Sequence, residues 1–107
     1  MQPPIPAAPP RVTLADLRAK RRAGRPITVL TCYDYPTARL EDAAGIDVVF
    51  VGDSLGTNVL GYASEREVTM ADMLHHLSAV RRGVERAYLL CDLPAGSYAT
   101  PALALEN

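Results

Sequence analysis

Apolar positions along the chain fall into two spacings. Short β-branched runs mark strands, and stretches with an apolar residue every three or four positions mark helices. The clearest run lies in Asp47-Val48-Val49-Phe50-Val51-Gly52-Asp53-Ser54-Leu55-Gly56, where four consecutive apolar residues lead into Gly-Asp-Ser. A short, β-branched run closed by Gly fits a strand buried on both faces of a parallel sheet better than a helix. In such sheets polar chemistry gathers at the carboxyl ends of the strands. Asp53 and Ser54 are the first polar residues after this run, so they stand at that mouth. Gly52 allows the sharp turn there, and Gly56 frees the loop that follows.

The rest of the pattern alternates around this strand. Thr13 with Asp16 forms a weak version of a capping box, Leu14 and Leu17 share one face, and Gly24 stops the helix. Arg18, Lys20, Arg21 and Arg22 suit the carboxyl end of that helix and are expected to be a solvated face. Pro26 opens a strand over 27–32, and Tyr33-Asp34-Tyr35-Pro36 is the loop at its carboxyl end. Pro36 fits the first turn of a helix, to which Ala38, Leu40, Ala43 and Ala44 lend apolar residues and which Gly45 ends. After the strand at 48–51, positions 53–68 show no period and are expected to form a long loop. Thr69, with Asp72 three residues on, caps a helix that carries Met70, Met73, Leu74, Leu77 and Val80 and has Gly83 just past its end. A third strand covers 87–91 and is followed by Asp92, and Thr100-Pro101 starts another helix. The order is a short helix and then β-α-β-α-β-α, with right-handed crossovers expected.

Composition narrows the function classes. At 107 residues the chain is at most one domain. A net charge of −1 leaves no basic footprint for nucleic acid and no polybasic membrane signal. No apolar run approaches the roughly 20 residues that a membrane span needs. Five of the nine prolines fall within residues 1–10, so 1–12 is expected to be a disordered, Pro-rich arm and 13–107 the folded part. The amino terminus has neither the charged nor the apolar region of a signal peptide. Cys32 and Cys91 lack metal-type spacing and are expected to be small buried residues in a reducing, cytoplasmic setting.

Two carboxylates carry the chemistry. Asp53 and Asp92 each end an apolar strand, and if those strands are neighbours both point into one mouth. Two carboxylates in a small oxygen-rich site favour Mg²⁺. A cation there could chelate a 2-oxo acid through its carboxylate and keto oxygens and stabilise an enolate. Each assignment has a plainer counterpart. An Asp after a strand is often a turn or cap residue, and Ser54 could simply satisfy loop backbone groups. Asp34 is expected to cap the helix behind Pro36. His76 borders the Met73, Leu77 and Val80 face and is expected to be partly buried. Adjacent His residues diverge on a helix, so His75 and His76 are not expected to share a metal. Tyr62 and Tyr98 either line the mouth or pack.

Several motifs occur together in order. They are Thr31-Cys32-Tyr33-Asp34-Tyr35-Pro36, Val51-Gly52-Asp53-Ser54-Leu55-Gly56, Val59-Leu60-Gly61-Tyr62, Val68-Thr69, His75-His76, Ala79-Val80-Arg81-Arg82-Gly83, Asp92-Leu93-Pro94 and Ser97-Tyr98-Ala99-Thr100-Pro101. From about Leu14 to Asn107 the chain resembles ketopantoate hydroxymethyltransferase. The resemblance implies the N-terminal portion of a (β/α)8 TIM barrel, about three β/α units preceded by a short helix. It implies hydroxymethyl transfer from 5,10-methylenetetrahydrofolate to 3-methyl-2-oxobutanoate, giving 2-dehydropantoate in pantothenate biosynthesis. By motif match, Asp53 and Asp92 resemble the family's Mg²⁺ ligands, and Asp53, Ser54 and Asp92 its substrate contacts. The family's Lys, further Glu and catalytic base all lie beyond residue 107, and its full-length members imply a homo-oligomer. Ala95-Gly96 departs from the family, which more often has an aromatic residue there. A barrel of this kind takes about 250 residues, so the chain is expected to be a fragment, inactive alone. The alternatives are another Mg²⁺-dependent 2-oxo-acid enzyme of the phosphoenolpyruvate mutase and isocitrate lyase type, a signalling domain with Asp53 as phosphoacceptor, or a non-catalytic fragment.

Overall fold

The computed structural model describes residues 3–4 and 10–107. Helix α1 (Leu14–Arg22) leads into strand β1 (Val29–Thr31), helix α2 (Tyr35–Ala43), strand β2 (Val48–Val51) and the single turn α3 (Leu55–Asn58). A 3₁₀ turn (Glu65–Glu67), helix α4 (Met70–Gly83), strand β3 (Tyr88–Cys91) and helix α5 (Pro101–Glu106) follow. The strands form one parallel sheet in the order β1-β2-β3. This is a mixed α/β fold with a small parallel sheet.

Local chemistry starts each main helix. Thr13 and Asp16 complete a full capping box on α1, and Thr69 and Asp72 do the same on α4. The Thr37 amide donates to the Asp34 carboxylate at 2.8 Å, so Asp34 caps α2 as expected. The Leu103 amide donates to Thr100 Oγ1 on α5. Each cap satisfies an amide that the helix itself leaves without a partner. Gly24 and Gly45, at φ +69° and +85°, turn the chain after α1 and α2.

The pleat of β2 sorts the core. Val49 and Val51 are fully buried together with Ala38, Leu55, Met73, Val80 and Val84, under α2 and α4. Alternate residues line the opposite face, where Phe50 is half-buried and its register partner Leu90 is exposed. Burial on both faces, expected for β2, therefore holds for Val48, Val49 and Val51 but stops at Phe50. Helices α2 and α4 pack closely at Gly83, where a Cβ would lie 2.8 Å from both the Ala38 Cβ and the Tyr35 carbonyl oxygen. Gly83 is thus the last residue of α4 and a contact point, not a residue beyond the helix.

Three further expectations are corrected. Residues 53–68 are not a structureless loop, since α3 and the 3₁₀ turn lie within them. They close on each other because Gly56 lets Val68 and Tyr62 approach, and Tyr62 OH donates to Asp72 Oδ2 at 3.0 Å. Tyr62 therefore packs rather than lines the mouth. Strand β1 is shorter than 27–32, since the Thr28 amide and hydroxyl turn to the side chain of Asp47. The solvated face on α1 has one exception, for Lys20 pairs with the buried Asp47 at 2.8 Å. Most of the arm at 1–12 lies outside the described residues; within it, the Val12 amide donates to the Arg86 carbonyl at 2.7 Å.

The Lys20–Asp47 pair fastens α1 beneath the amino end of β2. Its hydrogen bonds, from Lys20 first and then from the Thr28 amide, hold the Asp47 carboxyl below the usual carboxylate range. A depressed carboxylate adds stability above its unfolded pKa, and that stability is lost as pH falls through the folded value. Asp47→Ala should therefore cost about 1–3 kcal/mol at pH 7, through loss of the charged acceptor that Lys20 and the Thr28 amide share. The gap from wild type should shrink in acid. Urea melts of both proteins at pH 7 and pH 3 check this; a gap independent of pH would contradict it.

Candidate functional site

Parallel pairing of β2 and β3 decides where the two acidic residues go. Val51 pairs with Cys91, so Gly52-Asp53 and Asp92 leave the sheet side by side at its carboxyl end. The Asp92 amide donates to the Val51 carbonyl at 3.2 Å, continuing the ladder one step. The Asp53 amide donates to Asp92 Oδ2 at 3.3 Å. Gly52 leaves the space between them open. A Cβ there would lie 3.0 Å from the Phe50 ring and 3.6 Å from Asp92 Oδ2. The structure thus brings Asp53, Ser54 and Asp92 to one rim.

Asp92 is held at a cost. Its Oδ1 is buried and has no hydrogen-bond partner. Burial first, and then the nearby Asp53 charge, pushes its carboxyl above the ordinary range, against the opposing hydrogen bond from the Asp53 amide. An unsatisfied buried carboxylate oxygen beside a second carboxylate is the arrangement a cation relieves. Among the described residues no group of three or more His, Cys, Asp or Glu comes together. Two carboxylates suffice for Mg²⁺, which commonly takes one or two and completes its shell with water and substrate oxygens. The hard oxygen donors of Asp53 and Asp92 fit that ion.

Ser54 sits at the amino end of α3 and makes no side-chain cap bond. Its Oγ instead lies 2.7 Å from Tyr33 OH, which also accepts from Asn58 Nδ2 at 3.1 Å. The plainer role for Ser54, bonding loop backbone with its hydroxyl, does not occur. Tyr33 and Asn58 are site neighbours that the sequence argument did not connect to Ser54. The available signal was the i, i+4 spacing of Ser54 and Asn58, which puts both on one face of a helical turn.

The histidines stay out of the rim. His76 is half-buried and its Nδ1 lies 2.8 Å from the Tyr33 carbonyl. A carbonyl only accepts, so Nδ1 carries the proton. His75 is exposed, and the two rings stand nearly perpendicular, at 87°. Cys32, one residue past β1, is a buried free thiol, and Cys91, the last residue of β3, is a free thiol only half-buried rather than buried as expected. Burial raises both thiols, Cys32 to about 11, which keeps them protonated and inert. Tyr98 is exposed.

The sequence has counterparts among known proteins. The family model described as ketopantoate hydroxymethyltransferase matches residues 11–107. The chain belongs to the ketopantoate hydroxymethyltransferase family. It is 55% identical over 97 residues to the 3-methyl-2-oxobutanoate hydroxymethyltransferase of Thermosynechococcus vestitus, covering 90% of this chain and 37% of that protein. The enzyme of the same name from Desulfotalea psychrophila is 53% identical over 92 residues, 86% of this chain and 33% of that protein. The one from Ignicoccus hospitalis is 51% identical over 88 residues, 82% of this chain and 34% of that protein. The chain spans about a third of the length of these ketopantoate hydroxymethyltransferases.

Proposed function

We propose that this chain supplies the cation- and oxo-acid-binding rim of a 3-methyl-2-oxobutanoate hydroxymethyltransferase. The observation that carries the reading is the pair Asp53 and Asp92 at one sheet end, with Asp92 Oδ1 buried and unpartnered. Family membership and the names of the relatives support the reaction. The one-carbon donor is 5,10-methylenetetrahydrofolate and the product 2-dehydropantoate. The three strands form part of a (β/α)8 barrel that lies in the cytoplasm and works as a homo-oligomer.

Asp53 and Asp92 would hold Mg²⁺, which when bound polarises the carboxylate and keto oxygens of the oxo acid and so eases loss of the C3 proton. The chain's own residues do the rest of the positioning. Ser54 offers a hydroxyl to an anionic oxygen of the substrate. Gly52 keeps the floor of the rim clear, and the Phe50 ring beneath it gives the branched apolar end of the substrate a surface. The proton-abstracting base is assigned to the part of the relatives outside the matched third.

Isotope exchange separates this reading from that of a phosphoenolpyruvate mutase or isocitrate lyase type enzyme. A protein carrying this segment within a full-length barrel should exchange the C3 hydrogen of 3-methyl-2-oxobutanoate in deuterated water when Mg²⁺ is added. The 107-residue chain alone should bind without exchange. No exchange by the full-length protein would refute the assignment.

A further inference from the structure

Two hydroxyls and an amide meet beside the carboxylate rim, and none of the roles above uses the second hydroxyl. Tyr33 OH, Ser54 Oγ and Asn58 Nδ2 form a chain of hydrogen bonds of 2.7 and 3.1 Å. The Tyr33 ring is half-buried and packs on the core, so it is not a loose surface group. Its main chain is pinned as well, by His76 Nδ1 on its carbonyl at 2.8 Å. Ser54 and Asn58 are locked to each other through α3, where the Asn58 amide donates to the Ser54 carbonyl at 2.9 Å. Three elements thus fix one short polar chain: the end of β1, α3 and α4.

The direction of the protons follows from the donor inventory. The Asn58 amide nitrogen can only donate, so the Tyr33 oxygen accepts from it. The phenol has one proton of its own, and Ser54 Oγ is the acceptor within reach. A phenol is a stronger acid than an alkyl hydroxyl, so the favoured sense is Tyr33 donating to Ser54. Ser54 then accepts on one side, and its own proton is turned away from Tyr33.

We propose that Tyr33 is a positioning residue, which makes Ser54 a hydrogen-bond donor to an anionic oxygen of the 2-oxo acid. Asn58 sets the polarity of the chain, and His76 sets the place of Tyr33. The inference rests on the rim reading, because a freed Ser54 proton matters only where an anion binds next to it.

The test titrates 3-methyl-2-oxobutanoate into the chain at saturating Mg²⁺, with Mg²⁺ affinity measured separately. Tyr33→Phe should weaken oxo-acid binding by about tenfold, the loss expected for one hydrogen bond to a charged group, and leave Mg²⁺ affinity unchanged. Asn58→Asp replaces the donor by an acceptor, draws the phenol proton away from Ser54 and should weaken binding similarly. In a Ser54→Ala background Tyr33→Phe should have no further effect, which a merely structural role would not produce. In the ligand-free chain at low temperature, the Tyr33 hydroxyl proton should show a cross-peak to the Ser54 β-protons. Its absence would overturn the inference without reference to binding. Additive losses in the double variant, or wild-type affinity in Tyr33→Phe, would overturn it while leaving the rim reading intact. A wild-type chain that binds no oxo acid would overturn both.

Discussion

Asp92→Asn should abolish Mg²⁺-dependent binding of the oxo acid and, in the same protein, raise the stability of the metal-free chain at neutral pH. The two effects share one cause. Burial and the neighbouring Asp53 raise the Asp92 carboxyl above its ordinary value. A group raised in the folded state adds stability that is complete below the unfolded pKa and is lost as pH rises through the folded pKa. At neutral pH the ionised carboxylate is therefore a burden on the fold. The amide keeps an oxygen to accept from the Asp53 amide, removes the charge and removes the burden. It also removes half of the cation site. A cation that binds only the folded chain stabilises it by about 2.7 kcal/mol at a hundred times its dissociation constant. Wild type should gain stability in that way when Mg²⁺ is added, and Asp92→Asn should not. Urea melts with and without Mg²⁺, repeated between pH 4 and pH 8, measure both effects. Loss of stability in metal-free Asp92→Asn would mean that the residue serves the fold and not the cation.

Asp42→Ala should be the most damaging single change away from the rim. The Asp42 carboxylate accepts from three successive amides, those of Glu85, Arg86 and Ala87, the last at 2.7 Å. These amides lie where the chain enters β3, and Ala87 is buried. One side chain at the end of α2 thus ties the second crossover to the first. Hydrogen bonds to a charged acceptor contribute roughly 1.5–3 kcal/mol each, and three sharing one carboxylate do not add in full, so the expected loss is on the order of 3 kcal/mol. Asp42→Asn keeps one acceptor oxygen and should lose less. Hydrogen exchange should report the same event locally, with protection falling first at the Ala87 and Tyr88 amides. Unchanged protection there would show that β3 is held by the sheet alone.

What the sequence made legible was local. Strand β2 stands out because its β-branched run is bracketed by Asp47 and Gly52, and the structure places it at the residues expected. The caps Thr13, Asp34 and Thr69 were readable because each bonds the amide three positions ahead. The convergence of Asp53 and Asp92 followed from one conditional, that β2 and β3 are neighbours, and the parallel pairing meets it. What escaped depends on residues far apart in the chain. Lys20 finds Asp47 across 27 positions, and Asp42 finds Ala87 across 45. Neither pairing has a periodic signature. The order within 53–68 rests on Gly56 accepting Val68 at close range, a contact that no propensity encodes. Tyr33 reaches Ser54 across 21 positions for the same reason, through a sheet that sets two loops side by side.

The question on which the rest depends is whether the Asp53 and Asp92 carboxylates hold one divalent cation. Mn²⁺ answers it directly, because it takes the same oxygen ligands and broadens the resonances of nuclei around it. Titrated at substoichiometric levels into the isotopically labelled chain, Mn²⁺ should erase the amide signals of Gly52, Asp53, Ser54 and Asp92 before any others, and excess Mg²⁺ should restore them. Broadening that begins instead around the exposed carboxylates of Glu65 and Glu67, or that Mg²⁺ does not reverse, would contradict it.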